Sequence, residues 1–527
     1  MKGQLSFILH AHLPFVRHPE YQDFLEERWL YEALTETYIP LIHVFEGLER
    51  DHVPFRITMT LTPSLLCMLQ DGLLQERYSR HVRKLIELTE RELERTAGDP
   101  ALHRLAGMYN QRFELCRHTF EERYGRDLTT AFKGFQDRGG LEIITCAATH
   151  AFLPMLSGYP NSVRAQLRAA ADHYRRSFGR NPSGIWLPEC AYYKGLEALV
   201  AEQEIRYFIL ENNGILMAEP PPVYGLYAPV FTPAGVAAFG RDVESSKQVW
   251  SSKEGYPGDV RYRDFYRDVG FDLDFDYIKP YINPDGIRIH TGVKYYAITS
   301  ADLGDKRPYD PHAAYEAAVM HAGNFQFNRE RQVEYLLTVM DREPIIVCPY
   351  DAELFGHWWF EGPLWLDLVI RKLSCDAQRL RLSTPLDYLE RQPTNQMAWP
   401  NPSSWGAKSS YEVWLNHGNA WIYPHVHAAS ERMAMLADRF REPGDMQRRA
   451  LNQAAREVLL LQSSDWPFIM TTGTAVDYAV KRIKVHTARF TRLRDMLLND
   501  TIDDAYLRAV EERDTIFPEL DFRVFAT

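Results

Sequence analysis

The chain has 527 residues, 45% hydrophobic and 25% charged, the balance of a globular protein too long for one ordinary core. Its 60 Lys and Arg against 71 Asp and Glu leave a net charge of −11, which argues against general nucleic-acid binding and suits a neutral partner. No stretch of about 18 apolar residues is present, and the N-terminal MKGQLSFILHAHLPF lacks a small-residue cleavage site, so no membrane association and a cytoplasmic address are expected.

Six runs that are apolar almost throughout recur over the first 350 residues, and they lead into polar residues. Residues 5–9 lead to His10 and His12, 56–61 to Thr62, and 141–146 to Thr149 and His150. Residues 184–187 lead to Glu189, 206–210 to Glu211, and 344–348 to Asp351 and Glu353. Continuous rather than alternating hydrophobicity predicts parallel strands covered on both faces. Helical patterns lie between several of them, at 162–178 and 193–203. Strands alternating with helices, with polar residues at strand C-termini, describe a (β/α) barrel whose active site sits on that face. Residues 73–138 are helical and charge-rich (78–95, 102–124) and predict an insertion between two barrel strands. Residues 249–311, rich in Tyr, Asp and Gly, read as long active-site loops. Beyond residue 401 the pattern is helical (425–441, 445–461, 477–498), and the three prolines of 392–404 mark a boundary. The expected organisation is a catalytic domain over 1–400, interrupted by the 73–138 insertion, and a C-terminal helical domain over 401–527. Six scattered cysteines with no CxxC spacing predict no disulfide framework.

Chemistry concentrates behind the apolar runs. In IWLPECAYYKG, Glu189 stands just past a strand end, the position of catalytic groups in barrels, although a loop Glu paired to a surface Arg has the same appearance. IIVCPYDAELFGHWWFEGP brings Asp351, Glu353 and Glu361 together with His357, Trp358 and Trp359, a mixture that packing does not explain. Glycoside hydrolysis through a covalent intermediate needs two carboxyl groups, one attacking the anomeric carbon and one protonating the leaving oxygen. Glu189 and Asp351 leave different strands and can face each other across a barrel mouth. His10 and His12 sit at i and i+2, on one face of a strand, and with His150 they either hydrogen-bond sugar hydroxyls or bind a metal with Asp351 or His357.

Aromatic residues make up 13% of the chain, and eight of the 11 Trp lie at or beyond Trp358. Core filling accounts for many of them, but a Trp among polar and Gly residues suits stacking on sugar rings. Candidates are Trp250 in RDVESSKQVWSSKEGYPG with Arg241, Trp359, Trp405 in SSWG, Trp414 in YEVWLN, and Trp466 after Asp465 in SSDWPF.

HAHLPF, ATHAFLP, WLPEC, YDAELFGHWW and SSWG, in this order, resemble the five motif regions of glycoside hydrolase family 57, and the likeness runs nearly end to end. It is greatest to the subgroup of 1,4-α-glucan branching enzymes. The resemblance implies a distorted (β/α)7 barrel with a helical insertion and a helical C-terminal domain, retention of anomeric configuration, and no cofactor or required metal. It also implies an α-glucan partner such as amylose, amylopectin, glycogen or maltooligosaccharides. By motif position Glu189 corresponds to the nucleophile and Asp351 to the acid/base. His10, His12, His150 and His357 fall on histidines lining the −1 subsite. Trp250, Trp405 and Trp414 fall on tryptophans lining the cleft, with Asp465 and Trp466 nearby. One departure stands out: branching members carry a longer loop with a Tyr before the QVW segment, whereas here it reads FGRDVESSKQV. Water exclusion favours a sugar acceptor, so a short loop points towards an α-amylase-like hydrolase. The other open readings are a metal-dependent polysaccharide deacetylase and a non-catalytic glucan-binding scaffold. A monomer or small homo-oligomer is expected.

Overall fold

The computed structural model describes residues 2–251, 254–300 and 302–526. Ser252 and Lys253 of the polar segment, Ala301 of the expected loops, and both terminal residues lie outside the described residues.

Seven parallel strands form the frame: β1 (Gly3–Ala11), β2 (Ile57–Leu61), β3 (Leu141–Cys146), β4 (Gly184–Trp186), β5 (Tyr207–Leu210), then β7 (Ala237–Gly240) and β8 (Ile345–Asp351). A two-residue strand, β6 (Val230–Phe231), runs antiparallel to β7, and β9 (Leu380–Leu382) adds to β1. The sheet order is β6-β7-β5-β4-β3-β2-β1-β8. No ladder joins β7 to β8 among the described residues; Asp242 N, two residues past β7, donates to Val347 O of β8 at 2.9 Å and bridges the gap. The result is the distorted (β/α)7 barrel. The distortion lies at β1: β8 pairs with Gln4–His10 on one edge, while β9 (at Gly3–Leu5) and β2 (at Ile8–Ala11) share the other.

Parity along the strands decides what faces the mouth. Leu5, Phe7 and Leu9 of β1 join the outer core, while Ile8 joins an inner cluster with Ile144, Trp186, Ile209, Phe239 and Val347 that fills the barrel. Continuing the inward parity carries β1 to His10 and β8 to Asp351, which are register partners at the C-terminal end.

Between β2 and β3 run the helices Gly72–Arg95, Pro100–Arg117 and Thr129–Asp137; the side chains of Asp71 and Asp99 cap the first two by accepting backbone N–H groups. Described residues beyond Trp250 in the stretch expected as active-site loops do not reach the mouth. Part of the stretch packs on these helices, with Tyr281 OH donating to Glu87 at 2.8 Å and Tyr295 OH to Glu92 at 2.9 Å, and part on the helix Pro311–Val339, where Tyr256 OH donates to Asn324 at 2.8 Å. The C-terminal region is helical (Tyr423–Arg439, Asp445–Leu461, Asp465–Thr472, Val476–Leu498, Asp504–Arg513). It meets the barrel mouth at Ser463, which bridges to Ala151, and at Ser464 N, which donates to His150 O at 2.9 Å. Among the described residues no helix is long and apolar enough to cross a membrane, and the six cysteines are unpaired.

Candidate active site

At the C-terminal ends of the strands lies a pocket of about 580 Å³. Glu189 and Asp351 both line it, on turns after β4 and at the end of β8. Glu189 has φ 60° and ψ 23°, a left-handed backbone that costs a non-glycine residue about 1–2 kcal/mol. The segment 403–405 holds this turn in place. Trp405 N donates to Glu189 O at 3.0 Å, and Ser403 bridges to Tyr192. Trp405 Nε1 donates to Glu189 Oε2 at 2.8 Å, and Ser464 Oγ donates to Oε1 at 3.4 Å.

The two carboxyls differ in surroundings. Burial pushes the Glu189 carboxyl up to about 7, against the hydrogen bond from Trp405. Asp351 lies well above the usual carboxylate range because it is buried and faces Glu353 and Glu189, with Arg241 opposing them. Glu189 accepts two hydrogen bonds that favour its anion; Asp351 sits between two other acids. Hydrogen bonds thus assist ionisation of Glu189, and the neighbouring acids oppose that of Asp351.

Three histidines tie the wall together. His10 and His150 share a hydrogen bond between their Nε2 atoms at 3.1 Å, and His10 stacks on Trp186 with centroids 4.3 Å apart. His150, itself left-handed at φ 56°, bonds Ser464 Oγ through Nδ1 at 2.7 Å. His12 bonds Thr62 Oγ1 at 3.1 Å and Asp465 Oδ1 at 3.0 Å. Burial and the neighbouring rings keep His10 and His150 neutral. Burial also works against charge on His12, but the Asp465 carboxylate outweighs it and raises the ring's pKa.

His12, His150 and Asp465 offer donor atoms within 4.8 Å of one another, enough to hold a metal ion, as do Glu457, His486 and Asp514 among the C-terminal helices. At the first cluster both ring nitrogens of His12 and of His150 already have protein partners, which fits a hydrogen-bonding framework better than a ligand set. Neither Asp351 nor His357, the partners considered from the sequence, belongs to it.

The aromatic wall differs from expectation. Trp250 and Trp405 line the pocket, with Arg241, which donates to Glu211 Oε2 at 3.1 Å and lies 5.8 Å from the Trp405 ring. Trp359, Trp414 and Trp466 are buried in the core and do not line it. Trp414 stacks on Phe152, Trp466 donates from Nε1 to Leu460 O at 2.8 Å, and Trp359 packs on Trp365. His357 is also off the pocket wall, its Nδ1 bonded to Glu36 at 2.5 Å. Trp358 faces the pocket instead, 44% exposed, as do Leu13, Glu353 and Phe468. The reversal between Trp358 and Trp359 lies beyond strand parity. The strand ends at Asp351 and a 3-10 turn follows at Ala352–Leu354; the φ of 113° at Gly356, with a Cβ that would fall 1.8 Å from Glu36 O, then turns the chain where no other residue fits. Phe468 was visible in SSDWPFIM: Asp465 and Phe468 are i, i+3 on one helix face, and Trp466 lies on another.

A profile described as glycosyl hydrolase family 57 matches residues 6–400, three quarters of the chain. The chain belongs to that family. A second profile, the C-terminal region of 1,4-alpha-glucan branching enzymes, matches residues 425–525 of this family 57 chain. A curated 1,4-alpha-glucan branching enzyme of Thermococcus kodakarensis is 34% identical over 98% of the chain and 78% of its own length. Among solved structures, the alpha-amylase AmyC of Thermotoga maritima is 47% identical, with 100% and 99% of the two chains covered and a TM-score of 0.94. A family 57 branching enzyme of Pyrococcus horikoshii is 32% identical, with 100% and 97% covered and a TM-score of 0.90.

Proposed function

We propose that the chain is a retaining enzyme of α-1,4-glucans, acting as a 1,4-α-glucan branching enzyme, with Glu189 as nucleophile and Asp351 as general acid/base. The observation that carries this is the pair of carboxyls on one pocket wall, Glu189 accepting hydrogen bonds from Trp405 and Ser464 and Asp351 held protonated by burial and neighbouring acids. The Glu189 carboxylate attacks C1 of the sugar while Asp351 gives its proton to the departing glycosidic oxygen, which leaves a glycosyl ester on Glu189. The Asp351 carboxylate then takes the proton of the acceptor hydroxyl, whose oxygen attacks C1 and releases Glu189. Trp405 and Ser464 hold the nucleophile, neutral His10 and His150 brace the wall beside it through their mutual hydrogen bond, and Trp250, Trp358 and Trp405 offer faces for the glucan. An acceptor 6-hydroxyl gives a branch; water gives hydrolysis. The branching reading is supported by the profile over residues 425–525 and by the curated relative.

A second reading, hydrolysis, is favoured by the junction after β7. Only Arg241 and Asp242 separate β7 from the helix Val243–Trp250, which leaves no loop there to cover the pocket, and the amylase structure is the more similar in identity. Incubation with amylose, with α-1,6 linkages counted by proton NMR beside new reducing ends, separates them: branches without reducing ends mean transfer, the converse hydrolysis. Glu189→Gln and Asp351→Asn are each expected to abolish either product while the fold persists; full turnover in either variant refutes the assignment.

A further inference from the structure

Outside the catalytic pocket, a groove of about 640 Å³ lies between helix Val243–Trp250 and the C-terminal half of helix Pro311–Val339. One wall carries Glu244, Lys247 and Gln248, at i, i+3 and i+4; the other carries Asn328, Gln332 and Tyr335, at i, i+4 and i+7. Facing stripes of neighbouring helices are ordinarily apolar. Here they hold amides and charges of both signs. Beneath the groove surface, three buried polar atoms of its residues have no hydrogen bond among the described residues: Gln248 Oε1, Gln332 Oε1, and Nε of Arg329, a residue only 1% exposed. Two of these side chains are fixed through their other atoms. Gln332 Nε2 donates to Asp242 Oδ1 at 2.8 Å and to Tyr227 OH at 3.1 Å, and Arg329 NH1 donates to Asp242 Oδ2 at 2.9 Å. Tyr335 stands at the rim, 66% exposed.

A flat ring beside polar side chains on two helix faces is the chemistry that holds a pyranose: the ring takes the C–H face, and Glu244, Lys247 and the amides of Gln248, Asn328 and Gln332 take hydroxyls. Mixed charge suits a neutral ligand. The two sites share one element, since Lys247 lines the groove and Trp250, one turn on, lines the catalytic pocket. We propose that this groove is a second binding site for an α-1,4-linked glucan chain, holding one stretch of a polymer while another occupies the catalytic pocket. The proposal rests on the glucan-active reading above. Two attachments on one polymer raise the apparent affinity for chains long enough to span both, without changing the chemical step.

The test compares Tyr335→Ala and Tyr335→Phe with the unaltered protein, by retardation in native gels containing amylopectin and by kinetics on amylose. Tyr335→Ala is expected to bind amylopectin about fivefold more weakly and to raise KM for amylose roughly three- to tenfold at unchanged kcat and melting temperature, while Tyr335→Phe keeps the unaltered values. Glu189→Gln serves as the control for the parent reading: it should lose turnover but keep its retardation. Unchanged retardation of Tyr335→Ala overturns the groove while leaving the enzyme assignment intact. A change of mass in Tyr335→Ala by light scattering, without a change in glucan affinity, also overturns it and marks the face as a protein contact. An unaltered protein that neither turns over amylose nor is retarded overturns both.

Discussion

The pH behaviour of Glu189 ties catalysis to stability. The proposed nucleophile must be ionised, so kcat/KM is expected to rise with pH through about 7, and the opposing limb, where Asp351 loses its proton, is displaced well above the usual carboxylate range. Removing the Trp405 indole N–H with Trp405→Phe takes away a hydrogen bond that lowers the Glu189 pKa. The acidic limb then moves to higher pH, and turnover at pH 6 falls by roughly 10–100-fold. A buried carboxyl with a raised pKa also affects folding. An unfolded Glu titrates near 4.3; below that, the Glu189 site's contribution to stability is fully present, and it is lost as pH rises through about 7. Glu189→Gln imitates the protonated form, so it is expected to be more stable than the unaltered protein at pH 8, by on the order of 3–4 kcal/mol, with the gain vanishing below pH 4. Thermal unfolding at both pH values checks this; an equal gain at both would contradict it. At this scale the sequence was a good guide where strand geometry applied: His10, His12, Glu189 and Asp351 reach the pocket as parity and strand-end position predicted. It misled where parity ends. Past Gly356 no periodicity distinguishes Trp358 from Trp359, and a Trp near polar residues, such as Trp414 in YEVWLN, is as easily buried as exposed.

Among the elements, Asp242 joins β7, the following helix and the helix Pro311–Val339. Its N–H reaches Val347, its carboxylate caps Ser245 N at 2.7 Å, and it receives Arg329. Both members of the Asp242–Arg329 ion pair are buried. Arg329→Met strands a carboxylate in the core and is expected to cost about 3–5 kcal/mol, read as a lower urea midpoint, and pairing it with Asp242→Asn should restore much of the loss. The six apolar runs foretold six barrel strands. The seventh, β7, escaped because Ala-Ala-Phe-Gly is short and lacks β-branched residues. The 29-residue helix before β8 escaped for another reason. It buries small residues (Ala314, Ala317, Ala318, Ala322) and exposes large ones (Tyr315, Met320, Phe327, Tyr335), so apolar side chains occupy both faces and the helical period cancels.

For the whole molecule, the C-terminal helices complete the site. Ser464 touches the nucleophile, Asp465 engages His12, and Phe468 forms part of the wall. A chain cut after residue 410 keeps Glu189 and Asp351 but loses all three, and it uncovers the apolar surface that Trp466 and Leu459 now fill. It is expected to be inactive on amylose and prone to aggregate, with activity returning when residues 411–527 are co-expressed; an active 1–410 fragment would contradict this.

The link from Asp242 to Val347 has a kinetic consequence. A cylinder laced by ladders on every side but one has a seam, and thermal breathing concentrates there. In deuterium exchange the amide of Asp242 should be replaced by solvent well before those of Leu9 or Met59, which lie in continuous ladders. The seam runs beside Arg241 and Trp250, so breathing there is transmitted directly to one wall of the pocket.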